Sequence, residues 1–335
     1  MISESIKNIS KPELLAPAGN IETFYAVLRA GADAVYLAGN RFGARAYADN
    51  FSEEEIIGCL RYAHLLGKKI YLTVNTLIKN EELDDVARFI EPLYKAGLDG
   101  VIVQDLGLLS LFGRRFPELD LHASTQLSVT GKDATEYLKK LGVTRVVPAR
   151  ELSLDEVKEI KDTGVEVECF IHGAMCYSYS GQCLFSSVIG GRSGNRGRCA
   201  QPCRLPYSTS YKNDCYPLSL KDMMTVGIID RLIDAGIDSF KIEGRMKKPE
   251  YAAGVTSIYR KYIDKYIETG MLDISDEDIK LLQNLYIRSE VSEGYYNKYN
   301  GADMVTIGSP SYNGSDDAVL KAIHDRYVNP TGDDG

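Results

Sequence analysis

The sequence predicts a single (β/α)8 barrel with a small C-terminal extension. Three observations carry this prediction: one helix-to-strand unit recurs along the first two-thirds of the chain, eight short apolar strands can be counted, and dinucleotide and P-loop motifs are absent. In place of G-x-G-x-x-G, Ala16-Pro17-Ala18-Gly19 follows the first strand. Eight strands that alternate with helices favour a barrel over a doubly wound sheet.

In the recurring unit, a helix ends at a glycine and an apolar strand follows. The unit appears at residues 30–36, 96–102 and 235–241, and in a looser form at 141–147. Glycine provides the left-handed conformation that ends a helix, and the apolar run is typical of a buried parallel strand. The predicted strands are Glu13–Ala16, Ala34–Leu37, Ile70–Asn75, Gly100–Gln104, Asp120–Ser124, Arg145–Pro148, Val165–Ile171 and Ser239–Glu243.

The helices between the strands have recognisable starts. Ser52 with Glu55, and Ser153 with Glu156, each fit a capping box. Towards the C-terminus, helices are predicted over Met223–Ala235, Tyr251–Thr269 and, more weakly, Asp276–Leu285.

The chain divides into two parts, because its composition changes after the last long helix. We place the barrel at residues 1–269, with a cysteine-rich insertion at 174–220. The insertion lies in the long loop after the seventh predicted strand, and loops of this length inside a compact domain usually serve a function. Residues 270–335 form a C-terminal extension that we expect to be partly disordered, above all in its last fifteen residues.

Charge and hydropathy narrow the class of protein. The formal charge is −8 and the pI is about 5.2, whereas a nonspecific nucleic-acid binder is usually basic. This charge still allows an enzyme that reaches one RNA site through a local basic loop. No apolar run long enough for a membrane span and no signal peptide is seen, so we expect a cytoplasmic protein without a membrane partner. The oligomeric state stays open.

Five of the seven cysteines fall within 40 residues, with the spacing C-x6-C-x15-C-x3-C and one further cysteine. In a reducing compartment this cluster indicates a metal or redox site. Thiolates alone suit iron–sulfur or zinc, and the tight C-x2-C knuckles of structural zinc are missing, so a 4Fe–4S cluster is favoured over zinc and over unliganded thiols. The candidate ligands are Cys176, Cys183, Cys199 and Cys203, with Cys215 competing for the fourth position.

Polar residues at the C-terminal ends of the strands are the candidates for catalysis, because barrel active sites lie there. They are Asn75, Gln126, Arg150, Glu151, His172, Lys241, Glu243 and Arg245. We expect Arg150, Lys241 and Arg245 to hold an anionic substrate, and Glu243 or Glu151 to act as general base. The alternative is an ion pair between Lys241 and Glu243 inside the barrel mouth. His172 is an acid or a cluster-tuning group, or else a hydrogen-bonded core histidine.

Residues 168–176, Glu-Cys-Phe-Ile-His-Gly-Ala-Met-Cys, and residues 180–186 together resemble the signature of the collagenase-like peptidase family U32. Segments 13–19, 74–76, 124–126, 199–204 and 241–247 are also similar to family segments. The resemblance covers about residues 12–300. Segments 204–207 and 216–222 are most similar to the ribosomal-RNA branch of the family.

The resemblance implies an activity that the family name does not describe. Relatives include oxygen-independent hydroxylation proteins with a 4Fe–4S cluster, acting on a 23S rRNA cytidine, a tRNA wobble uridine or the ubiquinone ring. It implies cluster ligands at Cys176, Cys183 and Cys199, and a fourth ligand that varies. We choose Cys203 for it, since C-x3-C presents two thiolates without closing a long loop. The RNA-directed relatives are linked to prephenate, which becomes a candidate co-substrate.

We therefore expect an iron–sulfur-dependent enzyme that hydroxylates an RNA base, with RNA and a small anionic co-substrate as partners. A peptidase is the first alternative. Neither H-E-x-x-H nor G-x-S-x-G is present, and Cys176 cannot serve both as nucleophile and as iron ligand. The second alternative is a noncatalytic scaffold that binds a partner through its Tyr-rich tail.

Overall fold

A computed structural model of the chain describes residues 10–43, 50–208, 210, 215–285, 290–297, 301–306 and 316–330. Within these residues, eight parallel strands close into a ring surrounded by helices, which confirms the predicted (β/α)8 barrel. The ring strands are β1 (Glu13–Pro17), β2 (Ala34–Leu37), β3 (Lys69–Val74), β4 (Gly100–Val103), β5 (Asp120–Ala123), β6 (Arg145–Val146), β7 (Glu166–Gly173) and, after a short β8 (Asp222–Met224), β9 (Ser239–Ile242).

Strand β9 closes the ring by pairing in parallel with both β1 and β7. Lys241 lies opposite Leu15 on one side and Phe170 on the other. Each of the eight predicted strands coincides with a ring strand. Their carboxyl ends therefore meet at one mouth, where the predicted site residues are carried.

Helices follow most ring strands and bury their apolar faces against the sheet. The helices are α1 (Ile21–Arg29), α2 (Glu53–Leu65), α3 (Leu83–Lys95), α4 (Leu106–Arg115), α5 (Lys132–Lys140), α6 (Leu154–Lys161), α7 (Phe185–Gly190), α8 (Ile229–Asp234), α9 (Pro249–Thr269), α10 (Asp276–Asn284) and α11 (Asp317–Ile323). Across the described ranges, none of the helices combines the length and apolar character needed to cross a bilayer.

The predicted helix signals are confirmed. Both capping boxes form, at Ser52 with Glu55 and at Ser153 with Glu156. The glycines of the recurring unit adopt the left-handed conformation, with φ of 97° at Gly31. Local sequence thus fixes where these helices begin and end.

The helix predicted over Met223–Ala235 is wrong in its first half. Met223 and Met224 belong to β8, which pairs antiparallel with the end of β7, and a 3-10 turn follows before α8 begins at Ile229. No side chain caps the start of α8. The strand forms because β7 extends beyond the ring and offers backbone groups that β8 pairs with.

The C-terminal extension packs along the barrel. Strand β10 (Val291–Ser292) pairs with β8, and the Tyr296 hydroxyl donates to the Phe170 carbonyl oxygen at 2.7 Å. Beyond α11, Arg29 Nη1 donates to the Val328 carbonyl oxygen at 3.0 Å. Of the last fifteen residues, which we expect to be disordered, residues 321–330 lie in the described part, where Ile323 and Val328 bury apolar side chains against the core. Residues 331–335 lie outside the described part.

Candidate functional site

A buried ion-pair network occupies the barrel interior. Glu168 on β7 is completely buried and accepts hydrogen bonds from Lys241 Nζ at 2.6 Å and Arg145 Nη1 at 3.3 Å. Arg145 also pairs with Glu13 at 2.6 Å, and the Lys241 ammonium lies 4.5 Å from the centroid of the Tyr36 ring. The positive and negative charges are balanced, which is the condition for keeping such groups out of water.

Lys241 is therefore not an open anion-binding group. The expected alternative, an ion pair inside the barrel, is the arrangement seen, but the predicted partner Glu243 is wrong. Lys241 and Glu168 both point to the barrel axis, whereas Glu243 lies past the end of β9 and donates its backbone N–H to the His172 carbonyl oxygen at 2.9 Å. Glu168 and Arg145 were missed by sequence reasoning. The signal for them was a charged residue at an inward position of a strand whose neighbours are apolar.

His172 lies outside the barrel interior because β7 carries a bulge. The pairing register shifts between Phe170 and His172, so that His172 lies opposite Ile242 and faces helix α9. There its Nδ1 is 3.3 Å from the Tyr259 hydroxyl. Burial, with a smaller effect of Lys247, lowers the pKa of His172 to about 3. This placement corresponds to the core-histidine interpretation.

Arg150 clamps the segment that carries the first cysteine. Its Nη1 donates to the Ala174 carbonyl oxygen at 3.2 Å, and its Nε and Nη2 each lie 3.3 Å from Ser180 Oγ. The guanidinium also lies 5.1 Å from the centroid of the Phe170 ring. Both sides of the turn that contains Cys176 are thus held to the end of β6.

The same turn packs on the end of β5. Gly181 has φ of 80°, and a Cβ added to it would lie 2.1 Å from the Gln126 carbonyl oxygen. Gln182 Nε2 donates to Ser128 Oγ at 3.1 Å. Gln104, another polar residue at a strand end that sequence reasoning passed over, donates to the Gln126 carbonyl oxygen at 3.4 Å. The side-chain oxygens of Gln104 and Gln126 are buried and reach no hydrogen-bond partner within the described residues.

Glu151 places a carboxyl group next to Arg150 and Ser180 at the barrel mouth. Burial raises its pKa, against the opposing effects of Arg150 and of the backbone N–H groups of Glu151 and Ser180. Burial also raises the pKa of Tyr295, and Glu151 adds to this rise, followed by two further tyrosines, Tyr179 and Tyr177. A carboxyl group and three phenol rings therefore share one part of the mouth.

The remaining predicted residues stand apart from this group. Asn75 is half-buried after β3 and has contacts of its own. Arg245 is 6% exposed, and its carbonyl oxygen lies so near Gly19 that an added Cβ there would be 2.0 Å away. The structure thus does not bring Arg150, Lys241 and Arg245 together as open cations, because Lys241 and Arg245 are buried and Arg150 holds Ala174 and Ser180.

Four of the five clustered thiols are neighbours. Burial raises the pKa of Cys203, Arg204 opposes the rise, and three further thiols, those of Cys176, Cys199 and Cys183, add to it. A Cβ added to Gly194 would lie 3.7 Å from Cys199 Cβ and 3.9 Å from the Cys183 carbonyl oxygen. In the described ranges, no group of three or more His, Cys, Asp or Glu side chains has the geometry to hold a metal ion as it stands.

The chemistry of this donor set fits a soft metal or an iron–sulfur cluster. The backbone N–H of Gln201 donates to Cys199 Sγ at 3.3 Å, a contact of the kind that stabilises a thiolate ligand. Cys215 is separate, since it is 6% exposed and its Sγ donates to the Tyr207 carbonyl oxygen at 3.2 Å.

Two more arginines fasten the cysteine segment to the barrel. Arg196 pairs with Glu82, next to α3, with its Nη2 2.9 Å from the carboxylate. Arg204 donates to the carbonyl oxygens of Met175 and Leu220, each at 2.5 Å, and to Ser219 Oγ at 2.8 Å. The segment is therefore held at its start, middle and end by arginine side chains.

Comparison with known proteins gives one family and several curated relatives. The sequence model of peptidase family U32 matches residues 19–306. The chain is 42% identical over 270 residues to tRNA hydroxylation protein P1 of Bacillus subtilis, covering 76% of this chain and 64% of that protein. It is 43% identical over 265 residues to 23S rRNA 5-hydroxycytidine C2501 synthase of Escherichia coli, covering 76% of this chain and 40% of that protein.

A third relative has a different description. The chain is 34% identical over 280 residues to a collagenase of Porphyromonas gingivalis, covering 77% of this chain and 67% of that protein. The chain spans less than two-thirds of the length of the two hydroxylation relatives and about two-thirds of the collagenase.

Proposed function

The chain belongs to peptidase family U32, and from this premise we propose that it is an RNA-modifying enzyme that hydroxylates a pyrimidine base with the aid of a cysteine-ligated 4Fe–4S cluster. Two of its curated relatives, at 42% and 43% identity, are described by their action on tRNA and 23S rRNA. The choice between a cytidine of rRNA and a uridine of tRNA is left to experiment.

The observation that carries the proposal is the grouping of four thiols next to the barrel mouth. They belong to Cys176, Cys183, Cys199 and Cys203, and they lie on a segment that Arg150 ties to the strand end next to Glu151. Barrel enzymes carry their chemistry at this face. The proposal requires the four sulfurs to draw closer together around the cluster than they stand in the chain alone.

A 4Fe–4S cluster, when bound, supplies one-electron redox chemistry. The residues around it have separate roles in the proposal. The buried amide oxygens of Gln104 and Gln126 accept hydrogen bonds from N–H groups of the base, because each is an acceptor without a partner in the described structure. Glu151, whose pKa is raised by burial, holds or releases a proton at its carboxyl group.

A small anionic co-substrate is part of the proposal, and prephenate is the compound that the family resemblance implies. Arg150 remains the proposed contact for its carboxylate, since Lys241 is committed to Glu168 inside the barrel. In this scheme a carboxylate of the co-substrate takes over part of the hydrogen bonding that Ser180 now provides.

A deletion strain tests the proposal by nucleoside mass spectrometry of its total RNA. We expect one hydroxylated pyrimidine to disappear, to return with the wild-type gene and to stay absent with Cys203→Ser. Protein purified without oxygen should hold about four iron atoms per chain, and Cys203→Ser should lose most of them. An unchanged set of hydroxylated nucleosides in the deletion strain would reject the proposed function.

Cys215→Ser is the matched control for the fourth ligand. Its thiol contacts Tyr207 and lies apart from the other four, so this variant should keep both its iron and the modified nucleoside. The reverse result, with iron lost from Cys215→Ser and kept in Cys203→Ser, would assign the fourth position to Cys215.

The peptidase alternative is favoured by the relative described as a collagenase, but the histidines do not support it. His172 contacts Tyr259, His64 contacts Asp99, His324 contacts Glu250, and His122 is buried against Tyr71 in the barrel. Collagen cleavage by purified protein that persists in Cys176→Ser and Cys203→Ser, together with unchanged nucleosides, would favour a cysteine-independent peptidase.

A further inference from the structure

We propose that the cysteine segment carries a binding surface for single-stranded RNA, formed by the rings of Tyr177 and Tyr179 and the guanidinium groups of Arg192 and Arg198. The inference rests on the proposed function for the kind of nucleic acid bound, and it goes further by naming the strand state and the residues. Single strands bind by stacking bases on aromatic rings and by attraction of phosphates to cations.

The first support is the charge of the segment. Residues 169–213 contain no aspartate or glutamate but four arginines and one lysine, in a chain whose formal charge is −8. Arg196 and Arg204 are used to fasten the segment, through Glu82 and through backbone carbonyl oxygens. Arg192 and Arg198 are exposed at the surface. The exposed guanidinium group of Arg198 is therefore not among those seen to fasten the segment to the barrel.

The second support is the exposure of the two tyrosines. Tyr177 and Tyr179 are 51% and 56% exposed, whereas the tyrosines of helix α9 are buried in the core. Two half-exposed rings on one short loop offer flat apolar faces that a ligand can cover. Base stacking covers such rings whatever the base, since every base offers a flat face.

The third support is that the rings and the cations both flank, in the chain, the cysteines that are grouped around Cys203. Tyr177 follows Cys176 in the chain and Arg198 precedes Cys199, and both cysteine thiols are neighbours of Cys203. Arg192 is tied to this place because its Nε donates to the Arg198 carbonyl oxygen at 3.0 Å. In the proposal, a strand that lies across the cysteine group contacts both sets of residues.

Exposed apolar residues of the same segment suggest an alternative ligand, which is a protein partner. Leu184, Val188 and Ile189 are 62%, 80% and 63% exposed beside Cys183. We favour RNA because residues 169–213 carry five cations and no carboxylate while the chain as a whole is acidic, and a cationic surface is the complement of a phosphate backbone. A protein partner becomes an outcome of the test.

The test is fluorescence anisotropy of full-length protein with a labelled oligouridylate of about twelve nucleotides, within the usual site size of single-strand binders. The double variant Tyr177→Ala/Tyr179→Ala should raise Kd by at least about tenfold. Arg192→Gln/Arg198→Gln should also reduce the slope of log K against log salt by about 1.4, or about 0.7 per phosphate contact. Arg198→Lys keeps the positive charge, so the slope for this variant should equal that of the wild type.

Controls come from the barrel wall. Tyr137 on α5 is 55% exposed and Arg61 on α2 is exposed, so Tyr137→Ala and Arg61→Gln remove a matching ring and a matching charge. Affinity for the oligouridylate that falls equally in control and test variants would overturn the inference. So would tighter binding of a duplex RNA of the same length, or loss of a co-purifying protein in the test variants without any change in RNA affinity.

The inference and the proposed function can fail separately. Cys203→Ser should bind the oligouridylate as the wild type does while leaving the nucleoside unmodified. Normal RNA binding through the tyrosines in a protein that modifies no nucleoside would keep this inference and reject the function. Full nucleoside modification by the tyrosine and arginine variants, with an unchanged Kd for the oligouridylate, would keep the proposed function and reject this inference.

Discussion

Arg204 Nη2 donates to the Met175 carbonyl oxygen at 2.5 Å, which ties the residue after Cys203 to the residue before Cys176. The two cysteines are 27 positions apart in the sequence, and this hydrogen bond joins the backbone next to one to the side chain that follows the other. Arg204 Nη1 extends the connection to Leu220, just before β8. The barrel therefore prearranges the ends of the cysteine segment through one guanidinium group.

We expect Arg204→Lys to reduce iron retention although it keeps the positive charge. An ammonium group cannot reach the Met175, Ser219 and Leu220 oxygens at once in the forked geometry of arginine. Losing these charge-assisted bonds should cost about 2–3 kcal/mol. Iron per chain and the urea midpoint of anaerobic protein measure the two effects, with Arg198→Lys as control. Equal iron in both variants would contradict the role assigned to Arg204.

We expect Glu168→Gln to destabilise the barrel severely. The variant leaves Lys241 without its carboxylate partner at a site that is 4% exposed, and it weakens the hold on Arg145. Breaking a buried ion pair on one side costs about 3–5 kcal/mol. Urea denaturation gives the free energy of unfolding directly.

Glu166→Gln is the control for Glu168→Gln. Glu166 pairs with the same Arg145 at 2.8 Å, but its side chain is 54% exposed, so its loss should cost no more than about 1 kcal/mol. Similar costs at the two positions would mean that the contribution of the interior network to stability does not depend on its burial.

His172 should make the protein sensitive to acid. The pKa of His172 is about 3 in the fold and about 6.5 in an unfolded chain. Below pH 6.5 the imidazole is therefore protonated in the unfolded state but stays neutral in the folded state. The free energy of unfolding should then fall by about 1.4 kcal/mol per pH unit from His172 alone between these two values. Above pH 6.5 this effect is absent.

Urea denaturation between about pH 7 and pH 5 measures this slope. His172→Gln should show a shallower decline with falling pH than the wild type. Tyr259→Phe removes the hydroxyl near His172 but leaves the imidazole buried, so it should lower stability at every pH and keep the steep slope. Parallel pH curves for the wild type and His172→Gln would show that the imidazole is accessible to protons in the fold.

The sequence predicted the ring of strands and the helix ends because these depend on short stretches of chain. Capping at Ser52 and the left-handed glycine at Gly31 are determined by a few neighbouring residues. The segment that carries the cysteines was also predictable, since five thiols within 40 residues have no role in core packing.

What sequence could not give were relationships fixed by strand pairing. The bulge at Ile171 turns His172 away from the barrel axis, and nothing in the local sequence marks it. The pairing of Lys241 with Glu168 instead of Glu243 depends on the register between β7 and β9. The start of the helix near Met223 failed for the same reason, because the open end of β7 recruits that residue into a strand.

Gly181 gives the sharpest test of how the cysteine segment is seated. Gly181→Ala would place a Cβ 2.1 Å from the Gln126 carbonyl oxygen at a residue whose φ is 80°, so the turn between Cys176 and Cys183 must lift from the end of β5. We expect at least a tenfold loss of nucleoside modification and reduced iron, with the far-UV circular dichroism of the barrel retained.

Gly190→Ala lies in the same segment, within α7, where an added Cβ meets nothing within 4 Å. Because alanine favours helix more than glycine does, this control should keep full iron and activity. Equal behaviour of the two variants would mean that the contact between the cysteine segment and the Gln126 turn does not govern the site.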